Sequence, residues 1–322
     1  MKEPFVAIIV ANYNGKSYLY KKKPILEQCL TPLLKTDYKN YRIIVADDCS
    51  TDDSLEYLRR KRKNIDLTKT EQNGKFARNN NNGIRYAIRK YNPDYIVLLS
   101  NDVIAKERNW LRKMVKLAES EESAGLIGPK LVYPNGRIQN AGIPFNTMLH
   151  TRGQTDIDRP EYSKVERMEA VVAVAVMIKR KVIDKIGLLD ENFRGTFEDI
   201  DFCLRVNEAG FSIMYDGEVR LIHLHSFTNN ILAKHLQNKE EGLYNEQRNC
   251  SYFILKHFNG ARIVPAFIWL LMRLIVVGGG HGIVGIGNFK IEGPIIKKLG
   301  ISIKAWSDSV KFYNSLERVE KR

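Results

Sequence analysis

Four times within the first 102 residues, a short apolar run ends abruptly on a polar cluster. Residues 5–11 stop at Asn12-Tyr13-Asn14 and residues 41–46 at Asp47-Asp48. Residues 65–70 lead to Asn73-Gly74-Lys75, and residues 95–99 stop at Ser100-Asn101-Asp102. Continuous apolar runs of this length are what strands covered on both faces look like. Between them lie stretches with helical spacing: Ile25, Cys29, Leu30 and Leu33 behind Pro24, then residues 54–61, then Phe76, Asn80, Ile84, Ala87 and Ile88. Strand alternating with helix at roughly 25–30 residues per unit predicts βαβ units and a mostly parallel sheet. Ligands of such sheets sit beyond the carboxyl ends of the strands, where the four polar clusters fall. One cluster would be an ordinary loop; four in the same relative place mark a site.

The pattern continues with helical spacing over residues 110–117 and an extended run over 126–133. A long apolar strand is predicted over 170–178. The acidic phrase Glu198-Asp199-Ile200-Asp201 opens a helix, and a strand over 219–222 runs into His223-Leu224-His225. Beyond residue 230 the composition shifts to helical segments around 252–258 and 263–277. The second is nearly all apolar but shorter than the roughly 20 residues of a spanning helix. It suits a buried helix and a membrane-surface or re-entrant element equally, and Gly278-Gly279-Gly280 ends it. Lys290, Lys297, Lys298, Lys304 and Lys311 nearby would suit an anionic leaflet. The expected organisation is therefore a main domain over 1–230, with one half over about 1–103 and another over about 104–230. A helical region over 231–322 follows.

Lys and Arg number 51 against 37 Asp and Glu, a net charge of +14 that favours phosphate-rich partners. Nucleotide, nucleic acid and anionic membrane all qualify, and charge alone does not choose. No recognisable nucleic-acid module is present, so no nucleic-acid partner is expected. The four cysteines, at 29, 49, 203 and 250, show no CxxC or Cys/His metal spacing. That excludes a zinc ribbon and points to a reducing compartment rather than a disulfide scaffold. The first apolar run is too short for a signal peptide and reads as a buried strand.

The strand ends supply the candidate chemistry. Asp47 and Asp48 are placed to accept hydrogen bonds from a base edge or ribose hydroxyls, with Ser50, Thr51 or Asp52 available to cap the next helix. Asp102 is placed to hold a divalent cation, Mg²⁺ or Mn²⁺, against a diphosphate. One carboxylate makes a thin site, and His223 and His225 are the candidate partners. Glu198, Asp199 and Asp201 open a helix, where the macrodipole favours acids and Asp201 can pair with Arg205. A carboxylate there, beside a cleft, also suits a general base that deprotonates a hydroxyl. No GxxxxGK[ST] loop exists, and the GGGHG at 278–282 follows a helix rather than opening one.

Taken in order, VAIIVANYNG, IIVADDCSTDDS, NGKFARNNNNGI, YIVLLSND, GLIGPKLVYPNGRIQNAGI, VAVMIKRKVIDKIGLLDENF, TFEDIDFCLRVNEAGF and LIHLHSFT resemble family 2 glycosyltransferases of the GT-A fold. The resemblance spans roughly residues 4–260 and is nearest the rhamnosyltransferase-like branch. It implies a Rossmann-like α/β GT-A domain and inverting transfer of a single hexosyl or deoxyhexosyl unit from a nucleotide-sugar. The acceptor it implies is a hydroxyl of a glycan or lipid-linked oligosaccharide, in cell-surface polysaccharide synthesis. Asn12, Asp47, Asp48, Lys75 and Asn101 would line the donor pocket, and Asp102 with His223 would hold the metal. Asp199 would be the base, with Glu198, Asp201 and His225 on the acceptor side. The implied location is the cytoplasmic face of the cell membrane, held peripherally.

Two positions depart from the family pattern. Ser100-Asn101-Asp102 lacks the first carboxylate of the DxD motif, and Ala173 stands where relatives often have Gly near the acceptor. The QxxRW motif of processive members is absent, which favours addition of one sugar. The rival expectations are a catalytically inactive scaffold with this fold and a basic nucleic-acid-binding protein.

Overall fold

The computed structural model of the protein describes residues 3–60, 65–145, 150–224, 239–258 and 295–320. The first of its two compact units comprises residues 1–191 and 198–231. Its core is a sheet whose first half alternates as the sequence predicts. The strands and helices run β1 (Val6–Asn12), the two-residue β2 (Leu19–Tyr20) and β3 (Lys23–Pro24), α1 (Ile25–Leu33), β4 (Tyr41–Asp47), α2 (Ser54–Arg60), β5 (Ile65–Lys69), α3 (Lys75–Tyr91) and β6 (Tyr95–Ser100). β5, β4, β1 and β6 lie side by side and parallel. Val6 through Val10 are fully buried, each large side chain contributing about 1.5–3 kcal/mol relative to exposure. Helix α3 lies hard against this sheet at Gly83, where a Cβ would come within 2.5 Å of Ile9.

The second half comprises β7 (Val103–Ile104), α4 (Trp110–Ser120), β8 (Ala124–Val132), β9 (Ile138–Asn140), a short 3-10 turn at Pro160–Ser163, β10 (Val165–Met168), β11 (Ala175–Lys179), α5 (Arg180–Ile186), α6 (Glu198–Glu208) and β12 (Ser212–His223). Here the sheet is mixed. β11 is inserted antiparallel between β6 and β8, and β12 runs parallel to β8 beyond it. The long strand expected over 170–178 is confined to Ala175–Lys179. The residues before it leave the ladder: Ala170 makes an isolated bridge to Ile143, and the Val174 carbonyl accepts from Ser100 N–H.

The second unit comprises residues 192–197 and 232–322. Its described helices are α7 (Lys239–His257) and α8 (Ile295–Glu320). Buried Asn249 on α7 accepts from Arg194 N–H and donates to Thr196 Oγ1, while Phe193 and Phe197 pack on Tyr252 and Phe253. Residues 192–197 therefore belong with the C-terminal helices, although they lead in sequence into α6. The apolar segment 263–277 and its glycines lie outside the described residues. Among the described residues no helix is long and apolar enough to cross a membrane.

Candidate active site

The parallel register sets the floor of the site. Asn12 ends β1 opposite Asp47 of β4, and Ala11 lies opposite Ser100 of β6, so three strand ends converge on one side chain. Asn12 Nδ2 donates to Asp47 Oδ2 at 2.8 Å, and its Oδ1 accepts from Asn101 Nδ2 at 2.7 Å. Asp47 is fully buried and also accepts from Ser50 N–H and Ser50 Oγ. Ser50 Oγ in turn accepts from Asn14 N–H. Gly15 closes this floor: a Cβ there would lie 2.4 Å from Asn12 Oδ1 and 2.8 Å from Asn101 Nδ2.

Asp48 faces the next loop. Its carboxylate accepts from Thr70 Oγ1, Gly74 N–H and Lys75 N–H at 2.7–3.0 Å. A carboxylate has about four acceptor positions, and Asp47 and Asp48 each spend three of them on the protein. They are pocket-builders first, a role the sequence left to the capping residues. Asp52 does cap: it takes Lys16, Ser17 and Ser54 N–H. Burial raises its pKa, but these bonds outweigh it and hold the carboxyl below its ordinary range. Lys75 stands exposed at the start of α3 with φ +62°. Cys49 after β4 and Phe197 before α6 share that left-handed conformation, which costs non-glycine residues roughly 1–3 kcal/mol each and concentrates at functional sites.

Asp102 and His223 come together because β7 pairs with the end of β12: His223 lies opposite Val103, and Leu224 N–H donates to the Asp102 carbonyl. His223 Nε2 stands 3.3 Å from Asp102 Oδ1, and both residues are buried. Two ligands at right angles on one ion at about 2.1 Å stand about 3.0 Å apart, so the pair fits a shared divalent cation. Among the described residues no three His, Cys, Asp or Glu side chains gather as a metal group. A bound ion would thus complete its shell with phosphate oxygens and water, as Mg²⁺ and Mn²⁺ commonly do. His225 lies outside the described residues.

Asp199 sits on the first turn of α6, accepts from Ile200 N–H at 2.9 Å and lies near the Ala173 N–H. Val174, the neighbour of Ala173, accepts from Ser100 N–H at 2.9 Å. The base candidate therefore lies near the 173–174 stretch that pairs with the end of β6. Burial raises the Asp199 pKa. Glu198 beside it is 5% exposed, and its Oε2 has no hydrogen-bond partner among the described residues. Burial, then the Asp199 charge, push Glu198 well above the ordinary carboxylate range.

Asp201, placed by the sequence on the acceptor side and also as a partner for Arg205, makes the second of these contacts. It is fully buried and bound to Arg205 at 2.9 Å, and Arg205 also donates to the carbonyls of Ile186 and Leu188. It ties α6 to the turn after α5. Ser50 and Asn14 were missed as organisers of the floor; the only signal for them was their place next to the polar strand ends.

A sequence model of glycosyl transferase family 2 matches residues 7–187. An uncharacterized protein y4gI of Sinorhizobium fredii is 28% identical over 233 residues, 68% of this chain and 24% of its own. The O-antigen biosynthesis protein RfbC of Myxococcus xanthus is 26% identical over 68% of this chain and 17% of its own. The chain thus spans a quarter or less of these two relatives. The O-antigen chain rhamnosyltransferase WbaN of Salmonella anatum is 22% identical over 84% of this chain and 82% of its own. Among solved structures, TarS 1–349 of S. aureus is similar with a TM-score of 0.59 at 15% identity, over 95% of this chain and 81% of that one. The mannosyltransferase PcManGT of Pyrobaculum calidifontis, in complex with GDP-Man and Mn²⁺, is similar with a TM-score of 0.55 at 13% identity, over 100% and 81%.

Proposed function

This chain belongs to glycosyl transferase family 2, and on that premise we propose that it transfers one sugar from a nucleotide-sugar, with inversion, to a hydroxyl of a glycan or lipid-linked acceptor. The observation that carries the reading is the position of Asp199, on the first turn of α6 and near the 173–174 stretch whose Val174 carbonyl accepts from Ser100 N–H. The unprotonated Asp199 carboxylate takes the acceptor hydroxyl's proton as that oxygen bonds to the anomeric carbon. The bond from that carbon to the phosphate oxygen breaks, and the electron pair leaves with the nucleoside diphosphate. Ile200 N–H donates to the base and helps hold it in place. Asn12, Asp47, Asp48, Lys75 and Asn101 hold the nucleotide, and Asp102 with His223 would hold Mg²⁺ or Mn²⁺. The cation, when bound, supplies Lewis-acid stabilisation of the diphosphate.

The O-antigen and rhamnosyltransferase names among the relatives support a deoxyhexosyl or hexosyl donor and a role in cell-surface polysaccharide synthesis. A lipid-linked acceptor and the +14 charge together favour work at an anionic membrane face, on its cytoplasmic side. Thermal shifts with nucleoside diphosphates, with and without Mn²⁺, come first. A ligand at about 100 times its Kd adds about 2.7 kcal/mol. We expect one nucleotide to shift the protein with metal, and its sugar conjugate to be turned over by wild type and not by Asp199→Asn. Turnover surviving in Asp199→Asn would sink the base assignment. Ser100 in place of the first DxD carboxylate favours one rival, an inactive scaffold, which predicts no turnover with any donor.

A further inference from the structure

Strand β9 carries a residue too many. Leu131 of β8 lies opposite Asn140, and the next residue, Val132, lies opposite Ile138, so Gln139 between them has no counterpart. Such a bulge re-aims a side chain and is common beside active sites. The outer edge of β9 is fixed as well: Ile138 exchanges backbone hydrogen bonds with Asp156 and Thr155, and Ala141 N–H donates to the Arg152 carbonyl. On the other side of β8, Ile222 of β12 lies opposite the same Val132. The end of β8 thus sits between Gln139 and His223, and Gln139 Oε1 reaches to 2.7 Å from His223 Nδ1.

We propose that Gln139 is a positioning residue that fixes the tautomer of His223 and aims its Nε2 lone pair at the cation shared with Asp102. A carbonyl oxygen can only accept, so Nδ1 must carry the proton in that bond. In the neutral ring Nε2 is then an acceptor, facing the Asp102 carboxylate 3.3 Å away. Two acceptors at that separation suit a divalent ion between them. Metal-bound histidines usually donate their second N–H to an oxygen, which sets ring orientation and basicity. Here a neutral amide fills that place. It adds no second negative charge to a site that must also receive a diphosphate. The assignment rests on the reading of Asp102 and His223 as the metal pair.

Two readouts independent of turnover test it, on the full chain. In long-range ¹H–¹⁵N spectra of histidine-labelled protein with Mg²⁺ and a nucleoside diphosphate bound, the ring signal lost in His223→Gln should be the Nδ1–H tautomer. Its Nδ1–H proton should be protected from solvent exchange in wild type and Gln139→Glu and lose that protection in Gln139→Leu. Mn²⁺ affinity, followed by electron paramagnetic resonance of the free ion, should fall about 10–100-fold in Gln139→Leu and return in Gln139→Glu. An Nε2–H ring in wild type, or unchanged Mn²⁺ affinity in a folded Gln139→Leu, overturns the role of Gln139 and leaves the metal pair standing. Wild type that binds no Mn²⁺, with or without added nucleoside diphosphate, overturns the metal pair and the proposal with it.

Discussion

Asp66 on β5 and Glu198 at the start of α6 are about equally buried carboxylates of one fold unit, 8% and 5% exposed. Burial pushes both pKa values up. Around Asp66 that push is overcome: Tyr91 donates at 2.5 Å, Arg42 at 2.7 Å and Lys90 at 2.9 Å, and the carboxyl is held down at about 2. Around Glu198 it is reinforced by the negative charge of Asp199. Depth below the surface therefore says little about role. What separates a carboxylate that fastens the edge of the sheet from a pair that can move a proton is the donors the fold places around it.

The largest effect should come from the charged member of the pair. Asp199→Asn should lower the rate about 10²–10⁴-fold, the usual worth of a general base, with the melting temperature unchanged. The wild-type pH profile should share the same origin. Because Asp199 is raised by burial, kcat/KM should fall as pH drops through a limb lying above the ordinary carboxylate range. A limb near an unperturbed aspartate, about 3.9, would erase the contrast with Asp66.

Asp66→Asn should do the reverse, leaving turnover intact and weakening the fold. Its depressed pKa makes it a source of stability above the unfolded value near 3.9, lost as pH falls through about 2. Arg42 and Lys90 are partly exposed, so solvent screening keeps the effect to about 1–2 kcal/mol. Urea titrations at neutral pH and near pH 2 would measure it, and the variant's deficit should shrink in acid. A deficit that persists in full there would mean packing, and not charge, is what Asp66 supplies.

The same contrast explains what could be read without coordinates. Polar clusters after apolar runs placed Asn12, Asp47, Asp48 and Asp102 correctly at strand ends, because the period of a buried strand and the site of ligand binding follow from local chemistry. Strand direction does not: nothing in the run before Lys179 tells an antiparallel strand from a parallel one, so β11 and the turning-away of Ala173 and Val174 were invisible. The sharing of acceptor positions was equally hidden, since Asp47 and Asp48 spend most of theirs on Asn12, Ser50, Thr70, Gly74 and Lys75 across sequence gaps of up to 35 residues. Asp201 was legible only as an i,i+4 partner of Arg205, and that local reading is the one its burial supports.

The smallest effect is the most discriminating. Glu198 holds its proton because burial and the Asp199 charge both oppose its ionisation, so at neutral pH it is an uncharged hydrogen-bonding group much like an amide. Glu198→Gln therefore replaces like with like and should change kcat by no more than about threefold, under about 0.7 kcal/mol on the usual conversion of rate to barrier. The Asp199 limb should stay where it is, since the neighbour carries no charge while Asp199 titrates. Above the Glu198 titration the two proteins should diverge, wild type gaining a second buried negative charge that the variant cannot form. Equal losses in Glu198→Gln and Asp199→Asn would mean that the two acids share one proton in the working state, and the division into holder and base would fall.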